Sequence, residues 1–211
     1  MRVTAIRKQR REGRVNLYLN GRFALALTLD AIAVAGLRSG DEISDEALRS
    51  LRRDAAGADA TAAALRLLSY RPRSEAELRQ RLARRGAPAD LVDGAISRLR
   101  ELGLVDDVAF ARTWVDGRSR LSPRSKRLLR RELQAKGIDS EAAREALEPL
   151  DDEDTALRAA GRRADAMRGL PYPEFRRRLG DFLRRRGFDS ATIRRTADRL
   201  REDTGDPQLN E

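Results

Sequence analysis

Apolar residues recur along this chain at helical spacing, and in a register that repeats. Gly86, Gly137 and Gly187 mark three copies, offset by 51 and 50 residues. Leucine stands four positions before each glycine (Leu82, Leu133, Leu183) and eight positions before (Leu78, Leu129, Leu179). Leu99, Leu150 and Leu200 stand thirteen after, and the residue just before each glycine is basic: Arg85, Lys136, Arg186. A fixed period of this size predicts a stacked array of helical units. Such arrays present a long surface to a partner rather than a pocket to a small molecule.

Each copy reads as three helices. They fall at 61–70, 75–85 and 89–102; at 107–120, 123–136 and 140–147; and at 153–168, 173–186 and 190–202. Ser74, Asp139 and Asp189 stand where an N-cap is wanted. Pro123 and Pro173 suit a first helical turn, and the three glycines suit the left-handed position after a helix. Leu78 and Leu82 share one face, and Val92, Ile96 and Leu99 form the stripe of the helix that follows. These stripes are core packing and close small units of the helix-turn-helix kind.

Residues 1–29 alternate with a period of two and predict strands. Val3-Thr4-Ala5-Ile6 is one β-prone run, and Val15, Leu17 and Leu19 alternate with polar neighbours. Asn20-Gly21 signals a hairpin. A three-residue loop, Leu19-Asn20-Gly21, pairs Tyr18 with Arg22 and puts Val15, Leu17, Phe23, Leu25 and Leu27 on one face, whereas a two-residue loop splits that set. Asp30 is then expected to cap a short helix, Ser44 the next, and Gly57 to mark the start of the first repeat. The expected domains are 1–57, a β-hairpin and helical segment; 58–105, 106–150 and 151–203, the three repeats; and 204–211, a disordered tail. The fold class is mainly α, a tandem array of three three-helix repeats behind a small β segment.

Composition narrows the chemistry. The chain has 211 residues and neither cysteine nor histidine. Disulfides, thiol catalysis and the usual zinc ligands and neutral-pH bases are therefore missing. Neither G-x-x-x-x-G-K-[ST] nor G-x-G-x-x-G occurs. Asp106-Asp107 and the run Asp151–Asp154 each open a helix, where carboxylates favour the dipole. No catalytic residue, cofactor site or metal site is expected, and the protein is expected not to be an enzyme. No apolar run approaches the roughly 18–20 residues of a membrane span, and the basic N-terminus lacks the apolar stretch of a signal peptide. A cytoplasmic protein, monomeric and without membrane contact, is the expectation.

Formal net charge is +10, and only three of the 44 basic residues are lysine. A surplus of this sign points to nucleic acid or to an acidic partner that holds it. It is uneven. Residues 123–137 carry Arg124, Lys126, Arg127, Arg130, Arg131 and Lys136 against Glu132 alone. Residues 173–187 are similarly basic, whereas third helices read as neutral or acidic. On a helix, Arg124, Arg127, Arg130 and Arg131 lie near one face while Leu129 and Leu133 turn inward. The partner or DNA contacts expected are Arg124, Lys126, Arg127, Arg130 and Arg131, with Arg71, Arg73, Arg177, Arg178, Arg10 and Arg11. Aromatic residues are scarce, so contacts should reach phosphates or carboxylates rather than stacked bases.

Three ordered stretches resemble a known family. Ser69-Tyr70-Arg71-Pro72-Arg73-Ser74-Glu75 with Glu77-Leu78-Arg79 is similar to the signature of RecX regulatory proteins. So are residues 102–112, from Leu102-Gly103-Leu104-Val105 to Phe110-Ala111-Arg112, and Pro123 with Glu132-Leu133 and Lys136-Gly137-Ile138. One departure is Ser122, where many relatives carry glycine. The resemblance covers nearly the whole chain. It implies an elongated array of three-helix units that lies along the RecA–DNA filament, contacts single- or double-stranded DNA through it or by basic helices, and restrains RecA's ATPase, strand exchange and coprotease roles. A helix-turn-helix DNA-binding protein that acts without RecA is the alternative.

Overall fold

The structure, a computed structural model, describes residues 1–10, 13–167 and 169–202. Arg11 and the tail expected from residue 204 lie outside the described residues. Those described form ten helices and one three-stranded antiparallel sheet. They divide into two compact units, Met1–Val105 and a second that begins at Asp106. The fold class is the expected one.

In the first unit β1 (Val3–Lys8), β2 (Arg14–Leu19) and β3 (Arg22–Thr28) pair in chain order. The turn differs from the expectation. Leu19 pairs with Arg22 across a two-residue loop whose Asn20 and Gly21 both have positive φ, 47° and 80°. That loop alone would split the apolar set. A bulge between Leu17 and Tyr18 then absorbs Ala24 and restores Leu17 opposite Leu25 and Val15 opposite Leu27. Val15, Leu17, Leu25 and Leu27 therefore share the buried face. Phe23, on the turn side of the bulge, is 58% exposed and meets Tyr18 edge-on instead of entering the core.

Thr28, not Asp30, caps α1 (Leu29–Ala35), because its hydroxyl accepts from Ala31 N at 3.1 Å. Asp30 sits in the first turn. Ser44 caps α2 (Asp45–Leu68) as expected, accepting from Ala47 N. This helix passes straight through Gly57. Alanines flank the glycine on both sides, and its cost of about 1 kcal/mol is small beside their preference and the packing of a long helix. The first end of α2 packs Leu48 and Leu51 against the sheet; the second packs Ala63, Ala64 and Leu67 against the first repeat. Gly57 therefore does not interrupt the helix.

The repeats follow one path. The first comprises the end of α2, α3 (Glu75–Ala83) and α4 (Ala89–Glu101). The second comprises α5 (Asp107–Leu121), α6 (Lys126–Ala135) and α7 (Ser140–Leu147). The third comprises α8 (Asp152–Asp165), α9 (Tyr172–Arg185) and α10 (Ser190–Glu202). Leu78, Leu129 and Leu179 are all fully buried, as are Leu82, Leu133 and Leu183. Each marker glycine is left-handed, with φ of 81°, 76° and 89°. The N–H of the residue after it donates to the carbonyl of Leu82, Leu133 or Leu183 at 3.0–3.3 Å. This closes the second helix of each repeat and folds Ile138 and Phe188 into the core.

The leucines thirteen residues after the glycines are not equivalent. Leu99 is buried within α4, but Leu150 lies beyond α7 and, like Leu200, is only partly buried. Pro149 has no N–H to continue the ladder, so α7 stops at Leu147 although Glu148 keeps helical angles, and Leu147 takes the core position. Pro123 also stands outside its helix, two residues before the N-cap Ser125, whereas Pro173 does lie in the first turn of α9.

Candidate partner-binding surface

Asp106 and Asp151 act as helix caps. Asp106 accepts from Val108 N and Ala109 N, and Asp151 from Glu153 N and Asp154 N, at 2.8–3.0 Å. These bonds hold the Asp151 carboxyl below the usual carboxylate range. No group of histidine, cysteine or acidic residues that could hold a metal occurs among the described residues. No helix described is long and apolar enough to cross a membrane.

The densest basic cluster is only partly free. Arg124 precedes the N-cap of α6 and turns back to Glu132. Glu132 also accepts from Arg118 Nε at 3.0 Å and Trp114 Nε1 at 2.9 Å, so one carboxylate gathers three donors. Lys126 gives its backbone N–H to Asp152 at 2.8 Å, and its ammonium lies 3.4 Å from the carbonyl of Glu148. Arg127 donates to the carbonyl of Gly187 at 3.0 Å. Arg130 and Arg131 are exposed and form no ion pair among the described residues. The single face expected for Arg124, Arg127, Arg130 and Arg131 thus reduces to two open cations on α6.

Arg127 belongs to a junction between the second and third repeats. Ser125 N donates to the carbonyl of Arg186 at 3.0 Å. Arg186 donates to Ser122 Oγ and to the carbonyl of Pro123, both at 3.0 Å. The N-terminus of α6 thereby satisfies carbonyls left at the end of α9. Burial lowers the pKa of Arg186, and the neighbouring Arg124 and Arg163 lower it further. Ser122 needs no glycine: its φ of −156° is extended backbone, and its hydroxyl is used.

The remaining expected contacts divide three ways. Arg71 forms a two-pronged pair with Glu77 at 3.0 and 3.1 Å, which raises its pKa, and also donates to the carbonyl of Pro72. Arg73 is no surface contact. It is 8% exposed, and its Nε donates to the carbonyl of Leu67 at 3.0 Å. Burial, then repulsion from Arg71 and Arg81, lowers its pKa. The signature residue Arg73 thus pins the turn between α2 and α3. Arg177 is open on α9, Arg178 pairs with Glu174 at 2.6 Å, and Arg10 is exposed between β1 and β2.

Sequence reasoning overlooked α10, which it placed among the neutral or acidic third helices. Arg194, Arg195, Arg199 and Arg201 outnumber Asp198 and Glu202 on it. Arg176, Arg177, Arg184 and Arg194 line a groove between α9 and α10. The signal was available in the charge of α10 taken separately from α4 and α7.

Fold and surface together define a class: a tandem array of three-helix domains that displays basic helices. Models of RecX match along the chain: the RecX N-terminal domain at residues 1–44 and the first, second and third RecX three-helix domains at 60–99, 106–147 and 151–196. The chain belongs to the RecX family of regulatory proteins. It is 39% identical over 136 residues to the regulatory protein RecX of Thermobifida fusca, covering 63% of this chain and 74% of that one. The RecX of Chlorobium limicola is 37% identical, with 67% and 89% covered. That of Lactobacillus gasseri is 30% identical, with 89% and 70% covered. A crystal structure of regulatory protein RecX shares the fold with a TM-score of 0.75 at 24% identity, over 93% of this chain and 98% of that one. The RecX structure from Lactobacillus salivarius gives 0.62, also at 24% identity, over 69% and 96%.

Proposed function

We propose that this regulatory protein binds the filament RecA forms on DNA and inhibits RecA's recombinase, ATPase and coprotease activities, so acting in recombination, DNA repair and the SOS response. Family membership supports a regulatory role. The observation that carries the reading is the open charge on equivalent second helices: Arg130 and Arg131 on α6, and Arg176 and Arg177 on α9. They are exposed, without ion pairs among the described residues, on helices whose Leu129, Leu133, Leu179 and Leu183 are fully buried. Such a surface fits an extended anionic partner. The protein works without a cofactor or chemistry of its own, in the cytoplasm, as a monomer that reaches single- or double-stranded DNA through the filament or by its basic helices.

Co-sedimentation with RecA–DNA filaments tests the contact. Arg130→Glu with Arg131→Glu reverses two charges and leaves the Arg127 junction intact. Helical content should stay near that of the parent while filament binding falls at least tenfold, and added salt should weaken the parent's binding. A folded double variant that binds as well as the parent would remove α6 from the contact surface.

A further inference from the structure

We infer that the groove between α9 and α10 of the third repeat is a docking site for the phosphates of a nucleic-acid strand. The inference rests on DNA being part of the partner, and it names where this chain itself meets it.

The groove holds about 440 Å3 and is lined by Arg176, Arg177, Arg184 and Arg194, with Gly180 on its floor. Arg184 pairs with Asp181 at 2.7 Å; the other three arginines form no ion pair among the described residues. Asp189, at the near end of α10, is occupied by its cap to Thr192 N at 2.7 Å. Gly180 is buried, and a Cβ there would stand 3.5 Å from Ile193 Cγ2. The glycine therefore keeps the floor low.

The repeat register supplies the independent comparison. Seven positions before the marker glycines stand Arg79, Arg130 and Gly180; seven after stand Asp93, Arg144 and Arg194. In the first repeat, Arg79 pairs with Asp93 and ties α3 to α4. In the second, Arg144 is turned to Glu141 at 2.5 Å. In the third, the inner arginine has become glycine and the opposing acid has become arginine, so the bridge is gone. The other lining positions change in the same direction. Arg176, Arg177 and Arg184 occupy the places of Glu75, Ala76 and Ala83. In the first repeat, Glu75 pairs with Arg100 at 3.2 Å. One frame thus carries a self-neutralised groove in the first repeat and an unneutralised one in the third. Charges that serve only solubility have no cause to replace acids at a helix–helix seam.

The stripe runs along α9, with Arg177 and Arg184 about 10 Å apart along the axis. The groove has no aromatic side chain and no deep apolar cavity among its lining residues. Guanidinium groups in a row, without a base platform, match phosphates and read no sequence.

The test is the anisotropy of a labelled oligothymidylate with the purified full chain and no RecA. Arg176→Ala, Arg177→Ala and Arg194→Ala together should weaken binding at least tenfold at low salt. The slope of log K against log salt should flatten by about 2, since each lost single-strand phosphate contact removes about 0.7. Gly180→Arg with Arg194→Asp, which reinstates the first repeat's bridge, should weaken binding similarly. The control Arg49→Ala, Arg52→Ala and Arg66→Ala removes equal charge from exposed sites of α2 and should cost less than threefold. Parent-like affinity and slope in the groove variants, equal loss in the control, or displacement by polyglutamate as effective as by unlabelled strand would each overturn the inference. A parent that binds the strand yet leaves RecA's ATPase untouched would sink the filament reading and leave the groove standing. Inhibition of RecA without strand binding would do the reverse.

Discussion

Gly187 carries two constraints at once. Like Gly86 it is left-handed, where any other residue pays steric strain of about 1–2 kcal/mol. Unlike Gly86, which has open space around it, a Cβ at Gly187 would stand 2.6 Å from both Ser125 Oγ and Leu128 Cβ. Gly86→Ala should therefore cost only the strain, whereas Gly187→Ala should add about 1–3 kcal/mol of overpacking at the seam between repeats. Urea denaturation of each variant, read in the unit that carries it, checks the difference. Asp189 offers a pH-dependent counterpart. Its bond from Thr192 N, and its other backbone bonds, hold the carboxyl below its ordinary value. A depressed folded pKa means that the stabilisation is present above the unfolded value of about 3.9 and is lost as pH falls through the folded one. Asp189→Ala should cost about 1 kcal/mol at neutral pH, and its deficit against the parent should shrink below about pH 4. The cap and the glycine were legible in the sequence as local signals. The collision at Gly187 was not, because it depends on residues some 60 positions away.

At the scale of elements, the leucine register was the most readable feature and also shows its own limit. Leu133→Ala and Leu82→Ala should each cost about 2–5 kcal/mol, measurable by thermal or urea unfolding, because both side chains are fully buried between helices. Phe23→Ala should cost far less than a core phenylalanine, about 0.5–1.5 kcal/mol for the lost edge contact with Tyr18. Parity in the hairpin correctly selected the buried set Val15, Leu17, Leu25 and Leu27. It assigned Phe23 wrongly because a bulge at Ala24 solves the same parity problem as a longer loop, and alternation alone does not distinguish them. That α2 runs on through Gly57, where the sequence suggested the first repeat begins, has a related reason. A glycine is a weak signal when its neighbours favour the helix and tertiary contacts hold both ends. In the basic helices, charge counting found α6 and α9 but not which cations are spent. Glu132, alone against six bases in sequence, takes up one of them, Arg124, together with Arg118 from α5.

Across the whole molecule, a net charge of +10 is distributed through local pairing rather than spread evenly. Arginines of the first repeat are drawn into bridges such as Arg79–Asp93 and Arg100–Glu75. Those of α6 and α9 retain open members. Within the second unit, the end of α9 is bonded to the start of α6, so the second and third repeats present their basic helices from one tied assembly. The function proposed above has such a regulator act by occupying its partner's surface, with an effect that follows its occupancy. The most direct test is RecA's ATPase on single-stranded DNA, titrated with the purified chain. The account predicts that hydrolysis falls in a saturable, salt-sensitive manner, and that Arg130→Glu with Arg131→Glu shifts the titration to higher concentration. ATPase that stays at its starting rate through a large molar excess of folded protein would contradict it.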